Sequence, residues 1–364
     1  MLEKILVPEG RLELPSLSTH DFESCAYTNS ATPAIEPEYQ KNYTYGSLKQ
    51  TFMKHKILVI LGSTATGKSD LAVKIATHLR QGYGGRRKIK AEIISADSRQ
   101  VYKGLDIGTG KITKKERRSI PHHMLDVVSP KKVFTVSDWQ KQTKEIILSI
   151  INRGKLPIIC GGTGFYIQSI VSGLILPEVP PNLNLRKKLE EKPVEELFLI
   201  LKRLDPKRAK DIDRRNPVRL IRAIEIATAL GSVPTPRQAR GKSSYEFLQI
   251  GLTLPDKELK EKIYDRVIYR LKKGMIKEAE NLHENGLSWK RMRTLGLEYR
   301  CLADYLEKKS LKTELLRQID KEDRDYAKRQ MTWFKRDKNI KWFKPSEIQK
   351  IEKEIHKFLD LKQL

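Results

Sequence analysis

Ile57-Leu58-Val59-Ile60-Leu61, then Gly62-Ser63-Thr64-Ala65-Thr66-Gly67-Lys68-Ser69, then Leu71, Ile75 and Leu79 four apart: this stretch decides the fold. Five consecutive apolar residues describe a strand buried on both faces. The four-residue spacing after Ser69 puts three aliphatic side chains on one helical face. Between strand and helix stands a glycine-rich turn with P-loop spacing, in the strand-turn-helix context that gives the pattern its meaning. Gly62 and Gly67 let backbone amides close on phosphate oxygens, Lys68 supplies a point charge, and Ser69 offers a hydroxyl to Mg²⁺. Residues Gly62 through Ser69 are therefore the expected cradle for a diphosphate or for the phosphates of a nucleotide such as ATP.

Outward from this segment, strand and helix signals alternate, which predicts an α/β core with a parallel sheet flanked by helices. Further strands are expected at Ala91–Ser95, Met124–Val128, Leu156–Cys160 and Phe247–Leu254. The core should open at 53–176. Residues 177–244, entered through Pro177, Pro180 and Pro181, carry helix signals only and read as an all-helical insertion. Within it, Asn216-Pro217 is an N-cap followed by proline at the first helical position, and Gly231 is the expected stop. Residues 245–345 should complete the core with basic helices, leaving 346–364 as a C-terminal tail. Residues 1–52 mix Pro, Ser, Thr and Glu with no sustained period, fit neither a signal nor a transit peptide, and read as a disordered extension. Met53 stands immediately before the first strand, so translation starting there is a second expectation. The loop Gln81–Lys88, rich in Gly and Arg, reads as an exposed insertion.

Charge narrows the partner. Lys+Arg number 71 against 45 Asp+Glu, a formal net charge of +26, which points to a polyanion; the plain alternative is a set of solvated charged faces. Cys25, Cys160 and Cys301 have neither metal-ligand nor disulfide spacing, as expected of a chain in a reducing cytoplasm. No apolar run approaches a membrane span. The pair His122-His123 has no Cys/His cluster around it, which argues against zinc.

Three constellations could carry chemistry. Asp97 follows an apolar strand that should lie near the P-loop strand, where an acid can orient a metal-bound water or take a proton; a capping role is the alternative. Gly161-Gly162-Thr163-Gly164 is a second glycine turn at a strand end, equally readable as a close-approach site or as a tight connection. Arg266 and Arg270 share a helix face and could clamp a leaving diphosphate, or merely face solvent. Arg219 and Arg222 carry the same ambiguity in the insertion. Trp333 and Phe334 could stack on a base or bury against the core.

Taken in order, the P-loop, Ile94-Ser95-Ala96-Asp97-Ser98-Arg99-Gln100-Val101-Tyr102-Lys103-Gly104, Asp106-Ile107-Gly108-Thr109, Pro121-His122-His123-Met124-Leu125-Asp126, Gly161-Gly162-Thr163-Gly164-Phe165-Tyr166, Asn216-Pro217-Val218-Arg219-Leu220-Ile221-Arg222-Ala223 and Ala327-Lys328-Arg329-Gln330-Met331-Thr332-Trp333-Phe334 resemble the tRNA dimethylallyltransferase (tRNA isopentenyltransferase) family over about residues 55–345. With no C-terminal zinc finger following, the bacterial type is expected. The resemblance implies transfer of a dimethylallyl group from dimethylallyl diphosphate to the exocyclic amine of adenosine 37 of tRNA, beside the anticodon, without ATP consumption. It implies that Asp97 is the general base, that Thr64 contacts the reacting amine, and that Arg270 stabilises charge on the bridging oxygen. Lys68 and Ser69 would hold diphosphate and Mg²⁺, with Ser69 the metal-side residue. It assigns tRNA contacts to Asp97, Ser98, Arg99, Gln100, Thr163, Arg186, Val218, Arg219, Leu220, Ile221 and Arg222, with the insertion gripping the anticodon stem-loop. A monomer is expected.

Two positions depart from the family pattern. Ser63 replaces a common proline, and Gly296-Leu297-Glu298-Tyr299 replaces a common glycine-tyrosine pair, which weakens any tRNA contact at Arg293. Rival readings are an adenylate isopentenyltransferase acting on free nucleotide, a P-loop small-molecule kinase, and an RNA-binding protein with a relic P-loop.

Overall fold

The computed structural model describes residues 54–82, 87–234 and 244–361. The expectations for residues 1–52 and Met53, and for residues 83–86 of the Gly/Arg-rich loop, fall outside these. The chain runs β1 (His55–Gly62), α1 (Lys68–Gln81), β2 (Ala91–Ser95), β3 (His122–His123), α2 (Val136–Asn152), β4 (Leu156–Gly161), α3 (Gly164–Val171). Four helices follow: α4 (Leu183–Glu190), α5 (Val194–Leu204), α6 (Pro206–Asp211) and α7 (Pro217–Leu230). Then come β5 (Tyr245–Leu252), α8 (Asp256–Lys272), α9 (Met275–Glu284), α10 (Trp289–Met292), α11 (Leu297–Leu306), α12 (Lys312–Phe334), β6 (Lys341–Phe343) and α13 (Ile348–Phe358).

The strands form one six-stranded sheet, ordered β3-β2-β4-β1-β5-β6 and parallel at every pairing, so the α/β class expected from the alternation is the one adopted. β1 lies between β4 and β5, which is why its run 57–61 is wholly apolar and wholly buried. Its residues divide by parity. Ile57, Val59 and Leu61 face a cluster with Trp139, Tyr166 and Val267 from α2, α3 and α8. Leu58 and Ile60 face α1 and α13 through Leu71, Ile75, Leu79, Ile351 and Ile355. Beside the edge strand β3 one buried carboxylate, Glu92 of β2, accepts from His123 and Arg153 at 2.7 Å each and from Lys155 at 2.5 Å. Burial alone would raise its pKa, but bonds from Lys155 and His123 and the charge of Arg153 hold it below the usual carboxylate range.

Two expectations need correction. The third strand is His122–His123, not Met124–Val128, because Met124 and Asp126 take left-handed φ values of 61° and 57° that break any extended run; Val128 only bridges Tyr102. Residues 346–364 are not merely a tail. Just before them β6 adds a sixth strand beside β5, and within them α13 puts Ile351 and Ile355 into the core against α1. A three-residue strand and an amphipathic helix among lysines are weak signals at the end of a charged segment.

Helices α4 to α7 close on a small cluster of their own, including Leu189, Leu197, Leu201, Leu220 and Ile224. α7 begins as read: the Asn216 side chain accepts from the Arg219 amide, Pro217 holds the first turn, and Gly231 ends it at φ 77°.

Candidate active site

The P-loop lies where β1 ends. Gly62 has φ 145°, and a Cβ there would meet the Leu252 carbonyl at 2.5 Å, so only glycine lets the chain turn off beside β5. Gly67, at φ 82°, opens α1. Thr66 Oγ1 donates to the Ser63 carbonyl at 2.8 Å and Lys68 Nζ donates to the same oxygen at 2.5 Å, so the loop is closed by its own side chains. Burial lowers the Lys68 pKa to about 8; Arg266 adds to this and Asp97 opposes it. A bound diphosphate would restore the charge.

Two cavities, of about 560 and 940 Å³, meet at this loop. Lys68, Ser69, Gly110, Ile112 and Arg266 line both. Thr64, Asp97, Ser98, Arg99, Gln100 and Thr163 line the smaller, between the ends of β1, β2 and β4. The larger runs along α1 and α8, past Lys74 and Lys273, to Ser346.

Asp97 takes the capping role weighed for it. Its Oδ1 accepts from the amides of Arg99 at 2.8 Å and Gln100 at 3.3 Å, which caps the following turn. That fixes the carboxylate, and among the described residues nothing donates to Oδ2. Thr64 is fixed at two points: its amide donates to Gln330 Oε1 at 2.8 Å, and its hydroxyl accepts from Arg266 at 2.9 Å. A guanidinium only donates, so the Thr64 hydroxyl proton is directed elsewhere.

The second glycine turn is both a tight connection and a cavity wall. A Cβ on Gly161 would meet the Ala96 carbonyl at 2.2 Å, one on Gly162 the Gln330 amide nitrogen at 2.3 Å, and one on Gly164 the Trp333 ring at 2.3 Å. Thr163 Oγ1 accepts from the Ser98 amide at 2.9 Å, tying this turn to the Asp97 turn. Gln330 donates on to the Gly162 carbonyl at 2.9 Å, so one amide of α12 spans both glycine turns. Its place inside Ala-Lys-Arg-Gln-Met-Thr-Trp-Phe was visible in sequence, but a lone glutamine carries no signal of such a bridge.

The arginine pair on α8 divides in a way its spacing could not reveal. Arg266 reaches Thr64 and the Thr109 carbonyl, the latter at 3.3 Å. Arg270, expected at the reacting oxygen, is only 3% exposed and donates to Glu298 at 2.7 Å, Asp323 at 2.6 Å and the Gly108 carbonyl at 2.6 Å. Its terminal nitrogens are thus committed to protein groups, and Arg266 takes the place nearest Thr64. Burial and the neighbouring Glu298 raise the Asp323 pKa, against the pull of Arg270.

The tRNA candidates fall into two groups. Asp97 to Gln100 and Thr163 lie together at the smaller cavity; Arg186 and 218–222 lie on the insertion and line neither cavity. There Val218 and Arg219 are exposed, but Leu220 and Ile221 are 0% and 7% exposed inside the insertion's own core, which removes their side chains from any contact. Arg186 and Arg222 are half-buried and share Glu225, itself 2% exposed, at 2.6–2.7 Å and 3.2 Å. Arg293, for its part, is paired with Asp304 and Glu307.

A parallel α/β core whose P-loop closes two joined cavities, one with a fixed carboxylate, defines a P-loop enzyme that acts on a phosphorylated substrate. The family model for IPP transferase matches residues 100–337, and the chain belongs to that family. A tRNA dimethylallyltransferase of Halothermothrix orenii is 37% identical over 311 residues, 83% of this chain and 92% of that protein. The tRNA dimethylallyltransferase 2 of Treponema denticola is 41% identical over 286 residues, 78% and 92% of the two chains. Among solved structures, the full-length tRNA isopentenylpyrophosphate transferase of Bacillus halodurans superposes with a TM-score of 0.62 at 33% identity, covering 84% of this chain and 97% of that one. A eukaryotic dimethylallyltransferase acting on tRNA gives 0.66 at 25% identity, covering 77% and 70%. The free-nucleotide transferase and kinase readings are not favoured by these relatives.

Proposed function

We propose that this chain transfers the dimethylallyl group of dimethylallyl diphosphate to the exocyclic amine of adenosine 37 in tRNA, releasing diphosphate. The carrying observation is that the two cavities meet at Lys68, Ser69 and Arg266. A diphosphate held there is approached from the larger cavity, while an acceptor base enters the smaller one beside Thr64 and Asp97. The allylic carbon–oxygen bond breaks, the amine nitrogen bonds that carbon, and Asp97 takes the proton the amine loses. Thr64 orients the amine, and Arg266, with Lys68, faces the charge that grows on the departing oxygens. Arg270 acts one layer back, holding Glu298, Asp323 and the Gly108 carbonyl around Arg266.

Mg²⁺ fits this site. Among the described residues no cluster of three His, Cys, Asp or Glu side chains could hold a metal by itself. Ser69 brings one hydroxyl and the diphosphate would bring further hard oxygens, the few-protein-ligand pattern that Mg²⁺ tolerates. Bound there, the ion would neutralise leaving-group charge.

The base must leave its stack to reach Asp97. Val218, Arg219, Arg186 and Arg222 on the insertion would meet the phosphates of the anticodon stem-loop, and a +26 chain suits that partner. No helix among the described residues is long and apolar enough to cross a membrane; the reading is of a cytoplasmic monomer, which a tRNA acceptor and a site built from one chain support. The test is incubation with unmodified tRNA and dimethylallyl diphosphate, followed by nucleoside mass spectrometry. Prenylated adenosine is expected; phosphorylated product, or none, would overturn the reading.

A further inference from the structure

Asp106-Ile107-Gly108-Thr109 supplies no side chain to the reaction, yet this turn is pinned from two sides. On one side stands Glu278, half-buried in the first turn of α9. Its Oε2 accepts from the amides of Asp106 at 2.9 Å and Ile107 at 2.7 Å, and its Oε1 from the Gly108 amide at 2.9 Å. The buried Tyr299 of α11 donates its hydroxyl to the same Oε1 at 2.6 Å. Three successive amides turned to one point make a nest of the kind that gathers anions, and here the anion is the protein's own carboxylate. Only glycine fits at its centre, since a Cβ on Gly108 would meet the Tyr299 hydroxyl at 2.6 Å. From the other side Arg270 takes the Gly108 carbonyl, so both polar backbone groups of Gly108 are fixed.

What the turn presents to the site is its next two carbonyls. That of Thr109 accepts from Arg266 at 3.3 Å, and the Gln100 side chain donates to those of Thr109 and Gly110 at 3.5 and 3.4 Å. Gly110 also gives Arg266 its space, because a Cβ there would fall 2.1 Å from a terminal guanidinium nitrogen. Arg266 is thus seated between the Thr64 hydroxyl and this turn. Glu278 and Tyr299 line neither cavity, so they reach the chemistry only through the turn. We propose that Glu278 is a positioning residue for the transfer: with Tyr299 it holds the three amides, fixes the Thr109–Gly110 seat, and so places Arg266 against the departing diphosphate. The inference rests on the assignment of Arg266 to the leaving group in the transfer reading above. A carboxylate is required because both of its oxygens accept; the NH₂ of a glutamine would face groups that themselves only donate.

The experiment uses the full chain with Mg²⁺, and inorganic pyrophosphate as a calorimetric probe, beside steady-state kinetics on unmodified tRNA. Glu278→Gln should weaken pyrophosphate binding about tenfold and lower kcat about 10- to 10²-fold, while KM for tRNA stays within about twofold, because a displaced catalytic group costs turnover more than substrate grip. In an Arg266→Ala background the same substitution should add less than about twofold to either loss, since the group it places is gone. Losses that multiply in full across the double variant, or pyrophosphate affinity within about twofold of wild type for Glu278→Gln alone, would overturn the assignment. Should Glu278→Gln not fold, Tyr299→Phe decides in its place: pyrophosphate binding about threefold weaker, and unchanged when Arg266 is already alanine, supports the inference. Equal loss in both backgrounds, or none in either, overturns it. Pyrophosphate binding needs no acceptor, so a wild-type chain that binds it but prenylates no RNA sinks the acceptor reading, and Glu278 is then judged on binding.

Discussion

Arg266 and Arg270 on α8, and Arg219 and Arg222 on α7, look alike in sequence: paired arginines three or four apart on a helix. The fold gives them opposite surroundings. The α8 pair sits beneath the P-loop, where Arg270 is 3% exposed and every terminal nitrogen has a partner. On α7, by contrast, the Arg219 side chain is 59% exposed, and Arg222 shares one glutamate with Arg186. In the first place a charge acts at full strength on a fixed target; in the second it is screened, adjustable, and matters mainly in number. Catalysis and affinity should therefore separate along this line.

The largest effects belong to the core. Asp97→Ala removes a carboxylate that lines the same cavity as Thr64 and keeps its Oδ2 free of donors among the described residues, and kcat should fall about 10²- to 10⁴-fold while tRNA affinity stays near wild type. Filter binding beside single-turnover kinetics checks this; a matching loss in affinity would mean Asp97 grips RNA and does not take the proton. Arg266→Ala should cost about 10²- to 10³-fold in kcat with the fold intact. Arg270→Met should instead unfold the protein more easily, by about 3–5 kcal/mol, since Asp323 would stay buried and Glu298 half-buried without their cation. Were the two variants to exchange phenotypes, with Arg270→Met folded and inactive, the assignment of Arg266 to the reacting side would be wrong.

A smaller effect comes from Lys68. Burial puts its pKa at about 8, so the free protein holds it charged below that value and neutral above. A diphosphate favours the charged form, hence the KM for the donor should rise as pH climbs through about 8, tending toward tenfold per pH unit. Initial rates across pH 6.5–9.5 at saturating tRNA would expose a flat profile if Lys68 were not in contact with the donor.

How far sequence reached follows the same division. The P-loop, β2 with Asp97, and the cap of α7 were legible because each is local: an apolar run, a glycine spacing, an Asn-Pro pair. Choosing Arg266 over Arg270 was not, because it depends on which turn of α8 meets Thr64 and which meets Glu298 and Asp323, residues 28 and 53 positions further along. Leu220 and Ile221 were misread for a related reason: a motif names a segment, but burial decides which of its side chains face outward. α13 was lost among lysines although Ile351 and Ile355 are four apart, since two aliphatic residues in a charged run do not outweigh a tail.

The smallest predicted effect tests the insertion. Arg219→Ala should leave kcat unchanged and weaken tRNA binding only several-fold at moderate salt, because an exposed cation opposite a phosphate competes with screening ions. Its signature is in the slope: log affinity against log salt should become shallower by about 0.7 to 0.9 if Arg219 neutralises one phosphate. Arg222→Ala differs in kind. It frees part of Glu225 and a bond to the Val179 carbonyl at 2.8 Å, so it should lower thermal stability as well as affinity. If both variants changed the salt slope equally and neither changed stability, the shared glutamate would be incidental, and the two arginines would be equivalent surface charges after all.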